Sequence, residues 1–114
     1  MKLLLRWLIA TAAILLAAYI VPGIAIASFL TAIIVALVLG IINAVIKPFL
    51  ILLTLPINII TLGLFTLVIN ALLVLLTAAI IPGFSIAGFW DAMLFSIVLS
   101  IITFFLNKLL PDKD

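Results

Sequence analysis

Residues 6–47 recur 60 positions later as residues 66–107, with 15 of the 42 aligned pairs identical when no gap is allowed. A composition this rich in leucine and isoleucine would give about five identities by chance. A chain of 114 residues spent almost wholly on two copies of one unit is constrained to a fold in which the copies complete each other. The unit is also greasy. Hydrophobic residues make up 71% of the chain and charged residues 7%, with a mean hydropathy of +1.81, whereas a soluble domain is about half apolar and a quarter charged. Water cannot solvate such a surface, so a lipid bilayer is the expected solvent.

About 20 apolar residues are needed per crossing, and the sequence supplies four stretches, 3–20, 29–46, 62–80 and 89–110. An 18-residue helix covers about 27 Å, close to the hydrocarbon thickness of a thin bilayer. The expected fold is an all-α membrane protein: four transmembrane helices forming two parallel-repeat helical hairpins, with a short interfacial helix between them. It is read as one integral membrane domain, with repeat 1 at about 3–47, a connection at 48–61, repeat 2 at about 62–110 and a short polar tail at 111–114. The start of the chain has the look of a secretory signal, with Lys2, Arg6 and the small residues Ala25-Ile26-Ala27. The second copy carries Ser85-Ile86-Ala87 at the same register in mid-chain, so these residues are expected to belong to a loop and to stay uncleaved.

Orientation follows from the five cations. Lys2 and Arg6 precede or open the first span, Lys47 follows the second, and Lys108 and Lys113 close the fourth, while the loops 21–28 and 81–88 hold no Lys or Arg. The positive-inside rule places both termini and the central connection in the cytoplasm. Each copy then returns to its starting side, so the copies run parallel about a pseudo-twofold axis along the membrane normal. Trp7 is expected near the inner interface, and Tyr19, Phe29, Phe89 and Trp90 near the outer one. The connection is apolar through Phe49 to Leu53 yet carries Pro48 and Pro56, which interrupt a continuous helix. It either lies along the interface as a short helix, the favoured reading, or dips into the membrane as a re-entrant segment.

Three features carry polarity or backbone chemistry. The outer loops repeat Pro22-Gly23 as Pro82-Gly83; proline lacks the donor that would continue a helix and glycine accepts positive φ, so each pair turns the chain. Alternating residues after each turn suggest short extended segments, either a joined outer cap over a site or simple compact turns. A stripe at helical spacing runs through Ala32, Ala36, Gly40, Asn43 and Lys47, and again through Ala92, Ser96, Ser100, Thr103 and Asn107. Small residues four apart let helices approach closely in lipid, so spans two and four are expected to pack face to face. The other reading is that these faces line a water path. Asn70, deep in span three, is expected to clamp the bundle or to join subunits. Asp91, in the first turn of span four, is placed to cap that helix and meet its dipole.

Reaction chemistry is not expected. The sequence has no Cys or His, which removes thiol catalysis, disulfides and the usual metal ligands. No nucleophile is paired with a base and no carboxylate pair lies within the spans. Five cations are too few for a nucleic-acid surface. The chain is therefore read as no enzyme, with no cofactor, metal or nucleic acid, and with the lipid bilayer and a homo-oligomer of itself as partners.

The Leu-rich first span with its cations, the Val21-Pro22-Gly23-Ile24 loop, the Lys47-Pro48 step, the Leu55-Pro56 to Phe65 segment, Asn70-Ala71 and the Ile81-Pro82-Gly83-Phe84 to Phe89-Trp90 stretch together resemble phage holin family 4, four-span bacterial membrane proteins. The resemblance covers nearly the whole chain. The first copy departs from the second by carrying Ala10-Thr11 where the second has Asn70-Ala71. The resemblance implies a multi-pass protein of the bacterial cytoplasmic membrane that permeabilises it after oligomerisation. The alternative is a structural or regulatory protein of the envelope without pore activity. A small-solute carrier is weakened by the lack of a buried charge or broken helix near the midplane.

Overall fold

A computed structural model describes residues 2–61 and 63–109. Lys113 and the rest of the tail, and the expected span limits at Leu62 and Leu110, lie outside the described residues. The chain runs α1 (Lys2–Ile20), β1 (Ile24–Ile26), α2 (Phe29–Leu53), α3 (Leu55–Ile60), α4 (Phe65–Ile80), β2 (Phe84–Ile86) and α5 (Phe89–Asn107). Three of these helices, α1, α2 and α5, are long and apolar enough to cross a membrane, and α4 is a shorter apolar helix of 16 residues. We call the end bearing Lys2, α3 and Lys108 the basic end and the opposite end the ladder end.

Within the bundle of α1, α2, α4 and α5 each helix packs on two of the others: α1 on α2 and α5, and α4 on α5 and α2, with the short α3 against α2 and α4. The pairs α1/α4 and α2/α5 lie on diagonals, and no Cα of α2 comes within 8 Å of one in α5. The core fills the half nearer the ladder end, with Ile14, Val35, Val74, Phe84 and Phe95 buried in one cluster. In lipid such contacts stabilise through close packing, since a leucine gains little by exchanging acyl chains for other leucines. Residues 11–20 and 71–80 carry the same succession of buried, half-buried and exposed positions.

Val21 and Ile81 end their helices, and Gly23 and Gly83 turn the chain at φ +91° in both loops. The following segments pair as an antiparallel ladder, Ile24 with Ile86, Ala25 with Ser85 and Ile26 with Phe84. The Ala27 N–H donates to the Gly83 carbonyl and the Ala87 N–H to the Gly23 carbonyl, each at 2.8 Å. Thus each loop satisfies the backbone groups of the other, as backbone near lipid must be satisfied. The expected extended segments form a joined cap. Beneath it Phe84 leans on Phe95 with ring centroids 6.0 Å apart, and both rings are buried.

The expected break at Lys47-Pro48 is not where the second helix ends. Pro48 lies inside α2, which continues to Leu53. A proline in a helix forfeits one backbone bond, a loss that a membrane helix bears when neighbouring groups pack around it. The packing is present: Leu50 and Ile51 lie against a second small cluster of Ile42, Ile69 and Leu73, together with Phe65. The apolar run from Phe49 to Leu53 is thus the end of α2, packed against the start of α4, and the rest of the connection is the six-residue α3.

Candidate functional site

The polar residues of the stripe meet a cavity in the half of the bundle nearer the basic end. On the ladder side Ala32, Ala36, Ala92 and Ser96 are buried, and the Ser96 hydroxyl donates to the Ala92 carbonyl at 2.9 Å, within its own helix. Further along, Asn43 and Ser100 are exposed and Thr103 half-buried. A polar pocket of about 70 Å³ is lined by Asn43, Lys47, Asn70, Ser96 and Ser100 over a floor of Leu39, Val74 and Leu99. A neighbouring cavity of about 150 Å³ shares Leu39, Asn43 and Leu99 and adds Gly40 and Thr103. The diagonal placement of α2 and α5 overturns the expected face-to-face seam. The two helices lie diagonally opposite, so their stripes meet the packed core on the ladder side and open cavities nearer the basic end. Gly40 does not serve close approach either, since a Cβ built there meets nothing within 4 Å. Asn107 lies exposed at the end of α5.

Asn70 is half-buried and faces this pocket from α4. It clamps nothing within the chain: among the described residues, neither its amide nor that of Asn43 is hydrogen-bonded to protein. Their donors and acceptors are left for water or a ligand. Lys47, half-buried at the pocket, has no salt-bridge partner among the described residues.

Asp91, the carboxylate among the described residues, lies at the ladder end. No side-chain hydrogen bond caps α5, whose N-cap is Gly88, so the expected capping is not made. The carboxyl instead packs on the turn of the other copy, its Cγ 2.8 Å from where a Cβ of Gly23 would stand. Thr31 takes the corresponding place over Gly83, with its Oγ1 3.4 Å from a Cβ there. Ser28 caps α2 by accepting the Thr31 N–H at 3.1 Å.

Two polar arrangements were not foreseen from sequence. Asn58 in α3, buried, donates to Thr54 Oγ1 at 3.1 Å and accepts from Thr66 Oγ1 at 3.1 Å, while Thr54 Oγ1 donates to the Leu50 carbonyl at 2.7 Å. This chain ties the end of α2 to α3 and the start of α4. The spacing of Thr54, Asn58 and Thr61 in an otherwise apolar stretch was the available signal. The other is at Trp7, whose indole N–H donates to the Ile33 carbonyl of α2 at 3.0 Å while its ring packs, partly buried, against the core.

Among the described residues, no group of three or more His, Cys, Asp or Glu side chains could hold a metal ion. The fold and its cavity define a small polytopic helical membrane protein in which Asn43, Lys47, Asn70 and Ser100 gather around an open cavity between helices. A family model described as "Mycobacterial 4 TMS phage holin, superfamily IV" matches residues 1–105, and the chain belongs to this phage holin family, as its motifs led us to expect. It is also 42% identical over 89 residues to an uncharacterized protein of Streptomyces coelicolor, an alignment covering 75% of this chain and 71% of that protein. No solved structure matches it significantly.

Proposed function

We propose that this protein is a non-enzymatic component of the bacterial cytoplasmic membrane that permeabilises it as an oligomer, in the manner its family membership suggests. The observation that carries this reading is the set of polar groups with no partner among the described residues: Asn43, Asn70 and Lys47 line a cavity instead of cross-linking helices. Amides such as those of Asn43 and Asn70 are costly within a bilayer unless they meet water, ligand or another subunit. In this reading the whole chain is one membrane domain with both termini cytoplasmic. The clustering of Lys2, Arg6, Lys47 and Lys108 at the basic end, against loops without a cation, supports that orientation. The likeness of positions 60 apart in burial and in ladder register supports two hairpins related by a twofold axis through the Ala25–Ser85 pair.

Release of trapped dyes from liposomes carrying the purified protein tests the activity. Release that rises steeply with protein-to-lipid ratio and admits larger dyes at higher ratios is expected. Sealed vesicles with correctly inserted protein would replace this reading with a second one, a non-leaking structural or regulatory bundle of the envelope. That second reading is favoured by the closed ladder end, where the paired loops and the Phe84–Phe95 contact obstruct any path through a single chain.

A further inference from the structure

The polar pocket adjoins two further cavities that lead sideways out of the bundle, a row of neighbouring spaces that together outline a passage. The central cavity shares Leu39, Asn43 and Leu99 with the polar pocket. On its other side it shares Ala10, Ala36 and Gly40 with a groove of about 520 Å³ between α1 and α2. The frame between cavity and groove is thus built of the smallest side chains, and at Gly40 the space a Cβ would enter is empty. The groove is apolar along Leu37, Ile41 and Ala44, with Arg6 at its rim.

The two ends of the passage differ in chemistry. Lys47, Asn43, Asn70 and Ser100 offer an ammonium, two amide NH₂ groups and a hydroxyl. No carboxylate among the described residues is near them, since Asp91 belongs to the ladder end. A donor-rich pocket with an unpaired cation suits an anion, and a basic pocket between membrane helices suits an anionic headgroup. A free anion would have no use for an apolar extension. Lys47 is seven residues from Gly40 on α2, about 10 Å along the helix. The passage therefore runs from a headgroup position near the basic end toward the bilayer interior, the direction in which an acyl chain runs.

We propose that the passage binds an anionic phospholipid, with its phosphate against Lys47, Asn43 and Asn70 and one acyl chain passing the Gly40 opening into the α1–α2 groove. This site does not depend on whether the protein permeabilises membranes. The test uses the full chain reconstituted in phosphatidylcholine containing a minor fraction of phosphatidylglycerol, then re-extracted in mild detergent, with the retained lipid counted by native mass spectrometry. Phosphatidylglycerol should be retained at least tenfold over its share of the mixture. Lys47→Gln should bring retention close to parity, whereas Lys108→Gln, at the end of α5, should leave it unchanged. Gly40→Phe, which fills the opening, should abolish lipid retention with circular dichroism unaltered. Parity in the unmodified protein, or equal losses in the two lysine variants, would overturn the site. Unchanged retention in Gly40→Phe, or displacement of the lipid by millimolar inorganic phosphate alone, would leave only a pocket for a free anion and overturn the lipid assignment.

Discussion

Three glycines of this chain do different physical work, and the difference is measurable. Gly23 and Gly83 sit at φ +91°, where an L side chain is strained, and a Cβ at Gly23 would press within 3 Å of the Asp91 carboxyl. Gly40 is helical and its missing side chain faces open space. Gly23→Ala and Gly83→Ala are expected to cost about 1–2 kcal/mol each from backbone conformation alone, with Gly23→Ala the worse because of the contact. Gly40→Ala should be neutral or stabilise by up to about 1 kcal/mol, the helix-propensity difference. Denaturant unfolding in detergent micelles, followed by circular dichroism, would show this order; a destabilising Gly40→Ala would restore a close helix contact at that position. The turns were legible in sequence because Pro-Gly has a local cause. The role of Gly40 was not, because a small residue in a helix looks the same whether it faces a neighbour or a cavity.

At the scale of elements, the loop ladder couples the two halves through backbone hydrogen bonds, since these join residues 56 and 64 positions apart. Ala25 and Ser85 stand opposite each other at its centre with exposed side chains. Directly opposed residues of an antiparallel pair have Cα atoms about 4.5–5.5 Å apart, within disulfide range. The natural sequence has no cysteine to compete. Ala25→Cys combined with Ser85→Cys should therefore form an intramolecular disulfide on mild oxidation, read as a shift in electrophoretic mobility reversed by reductant, while Ala25→Cys with Leu109→Cys should not. Failure of the first pair to cross-link would dissolve the ladder. Four apolar segments and the two turns could be read from hydropathy and from Pro-Gly, and the alternation beyond each turn announced the strands. Which helices are neighbours could not be read, because hydropathy in a membrane segment does not point inward as it does in water. The continuation of α2 past Pro48 was hidden for a related reason: proline reports a lost hydrogen bond, while the contacts of Leu50 and Ile51 that keep the helix going are tertiary.

For the molecule as a whole, the two ends of the bundle are unlike. At the ladder end the two strands are paired, Phe84 and Phe95 are buried, and α1 and α5 concentrate their buried positions there, at Thr11, Ala13, Ile14 and Ala17 and at Ala92, Phe95 and Ser96. Toward the basic end the helices leave a polar cavity open. An exposed thiol in that cavity is reachable from one side of the membrane only if the ladder end is closed in the bilayer, so Asn43→Cys reports on orientation and closure together. With the basic end cytoplasmic, a membrane-impermeant maleimide should label Asn43→Cys in inside-out vesicles and not in intact cells, while Ser28→Cys should show the opposite pattern. If both variants exchanged sides, the orientation drawn from the cations would be inverted but the closure would stand. Labelling of Asn43→Cys from both sides, with Ser28→Cys still labelled from one, would mean that a water path runs past Phe84 and Phe95. In that event the oligomeric lesion would have its wall inside each chain, along the stripes of α2 and α5. One-sided labelling, together with dye release from liposomes, would put the wall between chains instead.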